Sequence, residues 1–187
     1  MSTTPPTIMT NSPVLQVKNL QVSYYTDAGR ARALDGVDLT LTAGEKLGLV
    51  GESGSGKSTM ALAMMRMIKP PGRIEGGQVM VDGTDLMTLS DETMLKARLS
   101  KIAYLPQGAM NSLNPVTRIG AQMVDAIQAH EQGSSQASRL ELEQRCKQTL
   151  ESVDLNSNVF RMYAHELSGG MKQRACIAIS VAMHPKV

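Results

Sequence analysis

Nine residues constrain this chain more than any other stretch: Gly51-Glu52-Ser53-Gly54-Ser55-Gly56-Lys57-Ser58-Thr59. They satisfy the pattern G-x-x-x-x-G-K-[ST]. An apolar run, Leu47-Gly48-Leu49-Val50, precedes them, and a helical apolar stretch from Met60 to Ile68 follows, closed by Lys69-Pro70-Pro71-Gly72. A strand, a tight loop and a helix in that order make a phosphate cradle. Gly51, Gly54 and Gly56 let the backbone turn so that successive N–H groups face one anion. The helix begun near Lys57 adds its positive end. Lys57 is placed to neutralise the β- and γ-phosphates of a nucleotide, Ser58 to ligate Mg²⁺ through its hydroxyl, and Thr59 to bind a phosphate nearer the nucleoside. Ser53 and Ser55 belong to the same nucleotide-binding loop. The bland alternative is a glycine-rich turn with a chance Lys-Ser. Average composition yields the full pattern by accident in well under ~1% of chains this long, so the cradle is preferred.

The rest of the chain divides by pattern. Residues 1–12, rich in Thr, Ser and Pro, are expected to form a flexible tail. Residues 13–107 are expected to form the nucleotide-binding core. From Val14 to Tyr25 apolar and polar residues alternate, with a slip at Lys18-Asn19 that predicts a bulged strand. Thr26 to Arg32 reads as a loop, and Val37 to Gly51 as two strands about an Ala43-Gly44 turn. Gly76 to Gly83 reads as a short strand, Asp91 to Leu99 as a helix, and Lys101 to Pro106 as a buried strand. Residues 108–166 change character. They hold no convincing strand and two helical stretches separated by Gln132-Gly133-Ser134-Ser135-Gln136-Ala137-Ser138. In the second stretch Leu142, Cys146, Leu150 and Val153 recur at helical spacing, and Ser138 with Glu141 predicts a capping box at its start. Residues 167–187 form a turn and a final helix. The layout is α/β, with a helical subdomain inserted.

Composition removes several function classes. A net charge of +2 with scattered Lys and Arg supplies no field for nucleic acid, and four Tyr, one Phe and no Trp leave no base-stacking platform, so no nucleic-acid partner is expected. Cys146 and Cys176 show neither metal-site nor CxxC spacing, which favours a reducing compartment over a disulfide framework. His130, His165 and His184 lack companion ligands, and His184-Pro185 reads as a helix stop. The fourteen methionines, Met60, Met64, Met65 and Met67 among them, are expected to fill core gaps. The N-terminus has no basic n-region and no apolar core, so it does not read as a secretory signal. The longest apolar run, Ala175 to Met183, is too short to span a bilayer. Membranes would be reached through a partner.

A second motif decides among nucleotide-binding classes. Leu167-Ser168-Gly169-Gly170-Met171-Lys172-Gln173-Arg174 resembles the signature sequence of ABC ATPases, and other segments agree with that family in order. Gly51–Thr59 has its usual Walker A wording. Gln107, in Ile102–Gly108, falls where the family's Q-loop glutamine ends a strand. Tyr24, 27 positions before Gly51, sits where the family places the aromatic that stacks on adenine, with Tyr25 as the alternate ring. The resemblance covers the chain from about Val14. It implies a P-loop NTPase of ABC ATPase type, with an antiparallel β region beside the inserted helical subdomain. It also implies ATP and Mg²⁺ as cofactors, and Gln107 reaching Mg²⁺ or the attacking water through its amide oxygen. Ser168, Gly169 and Gly170 would then face the γ-phosphate held by a second ABC ATPase subunit, identical or related. As a local motif Ser168-Gly169-Gly170 is an N-cap followed by helix-terminal amides, compatible with an anion site or with an ordinary capped helix start. Lys172 and Arg174 either support that charge or lie on a solvated face. Met110–Met123 resembles the "SLNP…IG.Q" wording of importer ATPases for oligopeptides, dipeptides and nickel. That branch implies docking on membrane permease subunits, indirect service to a substrate-binding protein, and a peripheral place on the cytoplasmic side of the cell membrane.

The family also needs a Walker B strand ending in Asp-Glu soon after the signature helix, with a D-loop and a switch histidine beyond it. Asp82 follows an apolar stretch but precedes Gln107 and lacks a following Glu. The sequence is therefore expected to be an N-terminal, truncated fragment without the catalytic Glu, marginal in stability and incompetent in hydrolysis alone. Three functions remain: the ATP-hydrolysing subunit of an importer, a nucleotide-binding or interaction module without turnover, or a soluble non-transport ABC protein.

Overall fold

The computed structural model describes residues 12–131 and 138–187. The expected tail up to residue 11 and the spacer at 132–137 lie outside the described residues. The chain forms two compact units, one ending at Thr88 and one beginning at Leu89, so the boundary expected at Gln107 falls inside the second.

The first unit is built on an antiparallel sheet of β1 (Pro13–Thr26), β2 (Gly29–Thr42), β3 (Gly72–Val81) and β4 (Thr84–Asp85), in the order β2-β1-β3-β4. Alternation buries Leu15 and Val17 on one face of β1. The register then slips between Val17 and Leu20 against β2, and between Lys18 and Gln21 against β3. Asn19 takes a φ of 47° at this bulge, and its N–H donates to Asp38 Oδ1 at 2.7 Å. The extra residues return Leu20 and Val22 to the buried side; Val22 pairs with Ile74 of β3, while Val79 and Val81 lie opposite Val17 and Leu15 before the bulge. Asp82 and Gly83, at φ 46° and 74°, make the left-handed two-residue turn that suits a β3–β4 hairpin.

Three local expectations are corrected here. Gly29–Arg32 is strand, because Tyr24 already pairs with Ala31 and Thr26 with Gly29, leaving Asp27-Ala28 as the connection. Residues 45–50 form no strand and no ladder with the described residues; Leu49 is 47% and Val50 92% exposed. A parallel strand draws its ladder from neighbours distant in sequence, so apolar wording alone does not secure it. Finally, α1 (Lys57–Met64) stops before Ile68. Arg66 turns left-handed at φ 50°, its N–H donates to Ala63 O at 2.9 Å, and the Met67 N–H donates to Leu62 O at 2.8 Å. Those two bonds are the Schellman closure of a helix end, made here without glycine. Met67, beyond the stop, is exposed, whereas Met60 and Met65 are buried.

The second unit is helical. Ser90 caps α2 (Asp91–Ser100) by accepting from Thr93 N at 3.2 Å, and the helix breaks where Arg98 is extended and Leu99 turns to φ 67°. The strand expected over Lys101–Pro106 is reduced to its beginning. The Val187 N–H donates to Lys101 O at 3.1 Å and the Ala103 N–H donates to Val187 O at 2.8 Å. That is one step of a parallel ladder, after which Leu105 is exposed. The two helical stretches expected between 108 and 165 are α3 (Ile119–His130) and α4 (Arg139–Ser152), followed by α5 (Gly169–Val181). Their apolar faces meet at Ile119, Met123, Ile127, Leu142, Cys146, Leu150, Ala175 and Ala178. The capping box forms: Glu141 N–H donates to Ser138 Oγ, and Ser138 N–H to Glu141 Oε2 at 2.7 Å. Gly120 lies against the Phe160 ring, where any Cβ would collide, so glycine allows α3 to approach it.

Candidate nucleotide-binding residues

The phosphate loop folds in the first unit as its sequence requires. Gly54 and Gly56 take φ of 84° and 91°, and Gly56 is the N-cap of α1. A Cβ on Gly56 would also stand 2.9 Å from the Ala33 carbonyl oxygen of β2, so both conformation and packing demand glycine there. The Ser55 N–H donates to Glu52 O at 3.2 Å, closing a turn over Ser53 and Gly54. Lys57, in the first turn of α1, folds its ammonium back across this loop. It donates to Gly51 O at 2.7 Å, to Glu52 O at 2.6 Å and to Ser55 Oγ at 3.0 Å. A cation is thereby fixed beside the amides of a left-handed turn and the N-terminus of a helix; residues 51–55 are exposed, and Gly56 and Lys57 are half-buried. Ser58 is exposed and Thr59 half-buried in the same turn. The donor set fits a polyphosphate with its cation: fixed ammonium, helix amides, and the hard hydroxyl oxygen of Ser58 that Mg²⁺ favours.

Tyr24 is half-buried on β1, opposite Ala31 of β2 and Gly72 of β3. Its ring edge closes on Gly72, where a Cβ would come within 2.7 Å of Tyr24 Cε1. The neighbouring Tyr25 is already engaged. Its hydroxyl donates to Glu75 Oε1 at 2.8 Å, and the Arg73 guanidinium lies 5.4 Å from its ring centroid. The hydrogen bond to Glu75 pushes the Tyr25 phenol above its ordinary range. Of the two rings, Tyr25 is thus the one held by a hydrogen bond and a guanidinium.

In the second unit Gln107 is exposed within a turn closed by Ala109 N–H donating to Pro106 O at 3.1 Å, and Gly108 follows at φ 78°. It stands in a loop and not on a strand end. Ser168 is the N-cap of α5 and accepts from Met171 N at 3.4 Å, a bond that uses a lone pair and not the hydroxyl proton. Gly169 and Gly170 are exposed with open space where a Cβ would be. Nothing inside the unit requires glycine at either position. Small residues at a helix N-terminus leave its unpaired amides open to a close approach from outside.

Sequence reasoning missed the residues that hold this turn. The Ile119 N–H donates to Met162 O at 2.9 Å, and Arg118 and Tyr163 form an antiparallel bridge. The Arg118 guanidinium lies 5.4 Å over the Tyr163 ring, which stacks on His165 at 5.5 Å. Glu166 Oε2 accepts from Tyr163 N at 2.6 Å. Gln122 clamps the loop before α3, accepting from Asn114 N at 2.9 Å and donating to Asn114 O at 3.1 Å and Thr117 O at 2.9 Å. The one available signal was Gly120, a glycine inside a helical pattern, which marks close packing.

Among the described residues no three His, Cys, Asp or Glu side chains cluster as a metal site, and no helix is long and apolar enough to cross a membrane. Asp82 lies in the β3–β4 turn.

A family model described as "ABC transporter" matches residues 34–187. The oligopeptide transport ATP-binding protein OppD of Bacillus subtilis is 38% identical over 177 residues, which is 93% of this chain and 48% of that protein. The dipeptide transport ATP-binding protein DppD of Caldanaerobacter subterraneus is 37% identical over 94% of this chain and 53% of its own length. The chain thus spans about half the length of these curated relatives. Among solved structures, the dimeric bacterial ABC transporter cassette MJ0796 superposes with a TM-score of 0.74 at 28% identity, covering 91% of this chain and 70% of that one. The same cassette is known in a post-hydrolysis state bound to ADP and Pi, with equal similarity.

Proposed function

The chain belongs to the ABC transporter ATP-binding family, and from that premise we propose that it is the ATP-binding part of an importer for peptides or similar small solutes. One observation carries the reading: the Lys57 ammonium held over the turn of Gly51, Glu52 and Ser55 at the start of α1. This is a preformed cation beside preformed amide donors, built to bind the β- and γ-phosphates of ATP. Ser58 would hold Mg²⁺ through its hydroxyl, with Gln107 as a further oxygen ligand, and the ion would supply charge that offsets the phosphates. Tyr24 offers its ring to the adenine.

Ser168, Gly169 and Gly170 supply the second half of a nucleotide site, directed at ATP held by the phosphate loop of another ABC ATPase subunit. Two such half-sites per chain make a dimer the working form, either identical or of related chains. The dimeric MJ0796 cassette supports that assignment. The importer wording Met110–Met123 and the peptide-transporter relatives support membrane permease subunits as partners, with a substrate-binding protein served indirectly. The chain would then sit peripherally on the cytoplasmic side of the membrane.

The test is peptide uptake by proteoliposomes carrying the protein, expressed at the full length of its gene, with its permease partners. Uptake that needs ATP and disappears in Lys57→Ala supports the proposal. ATP-independent uptake, or uptake indifferent to Lys57, contradicts it.

A further inference from the structure

We propose that Arg118 and Tyr163 act as a positioning clamp for the Ser168–Gly170 turn, fixing the angle at which its amides meet a nucleotide held by another subunit. The inference rests on the nucleotide-sandwich reading above and assigns roles to residues outside the motifs that carry that reading.

The turn hangs from a short chain of contacts. Ser168 caps α5, but its hydroxyl grips only its own helix, through Met171 N. Upstream, Ala164–Glu166 is a single 3-10 turn, and Glu166 ties itself back to Tyr163 N at 2.6 Å. Leu167 is buried and anchors the backbone below the turn. Tyr163 is therefore the point from which residues 164–168 are oriented. Three contacts hold Tyr163, all from one neighbour. Its backbone bridges Arg118, its ring carries the Arg118 guanidinium at 5.4 Å, and its hydroxyl accepts from Arg118 Nε at 3.5 Å. His165 stacks on the same ring at 5.5 Å with planes 10° apart.

Arg118 is itself mounted on a stiff piece. It is the N-cap residue of α3, directly after the loop that Gln122 clamps at Asn114 and Thr117. The other end of that segment is tied to α5, because the Cys176 thiol donates to Ala109 O at 3.3 Å and Leu113 is buried in the shared core. Residues 109–118 thus hold the signature helix at two places, behind the turn at Cys176 and ahead of it at Tyr163. Side-chain packing alone would tolerate other planar groups at 163. The Arg118 Nε–H adds a direction, because it donates to the Tyr163 hydroxyl at 3.5 Å while the guanidinium lies near the ring.

The experiment uses the protein expressed at the full length of its gene, assembled with its partners. It measures kcat for ATP and, separately, the affinity for a fluorescent non-hydrolysable ATP analogue. Arg118→Ala and Tyr163→Leu should each lower kcat about 3- to 10-fold while affinity at the phosphate loop stays within about two-fold. The double variant should lose no more than the worse single one, because both remove the same contact. Arg118→Lys should recover part of the loss. Unchanged kcat in folded single variants, or losses that multiply in the double variant, would overturn the proposal. If either truncation abolishes cooperative melting, Arg118→Lys decides: a kcat below wild type with unchanged affinity supports the clamp, and wild-type kcat overturns it. Gly170→Val separates the underlying reading. Should kcat ignore that substitution too, the sandwich assignment fails, whatever the clamp does.

Discussion

The Lys57 ammonium donates to the Gly51 carbonyl at 2.7 Å, binding the first turn of α1 to the first residue of its own phosphate loop. Glu52 O and Ser55 Oγ complete the grip. A long lysine side chain ordinarily loses much rotamer freedom on meeting a ligand. Here the charge is already placed, but its three N–H donors are spent on the loop, so a phosphate oxygen must displace one of these acceptors to bind it.

Gly56 carries the geometry that brings Lys57 into position. Gly56→Ala should destabilise the chain by about 1–3 kcal/mol in urea unfolding, since it combines a left-handed residue with a clash. Gly54→Ala, also left-handed but with nothing within 4 Å of a new Cβ, should cost less. Equal costs would mean that the Ala33 carbonyl contact has no weight.

Gly170 makes the opposite case. Its backbone is not left-handed and its surroundings are open. Gly170→Ala should leave stability unchanged or raise it by up to about 1 kcal/mol, because alanine loses less backbone freedom in a helix. On the proposed sandwich, ATP turnover by the assembled protein should nevertheless fall, because the new methyl group would stand where another subunit's nucleotide approaches. A stable variant with full turnover would return the Ser-Gly-Gly turn to an ordinary helix start.

Burial pushes the Cys146 thiol up from its ordinary 9.0 to about 11. The unfolded chain releases this proton first, so the contribution is complete below pH 9.0 and is lost as pH rises toward about 11. The decline is at most about 1.4 kcal/mol per pH unit. Urea midpoints across that interval should fall more steeply in the wild type than in Cys146→Ala. Parallel slopes would show that the thiol does not titrate differently on folding.

What the sequence made legible was local. The bulge at Asn19, the Ser138–Glu141 box and the buried row Leu142, Cys146 and Leu150 all depend on spacing within one element, and each formed. The glycines of the phosphate loop were readable because a left-handed turn leaves few alternatives. Residues 45–50 and 103–106 were not readable in the same way. Their apolar wording suits parallel strands, but such strands form only where distant partners supply the ladder, and Val187 supplies a single step of it. Arg118 and Tyr163 lie 45 residues apart, and nothing in either neighbourhood announces the other.

The central claim is that the Lys57 loop binds a nucleoside triphosphate. It is tested most directly by equilibrium titration of the protein with a fluorescent ATP analogue and Mg²⁺, comparing wild type with Lys57→Ala. Loss of a charge-assisted contact to phosphate should weaken binding by at least about 30-fold, with the melting temperature of the free protein little changed. Equal affinity in the two proteins would contradict the account.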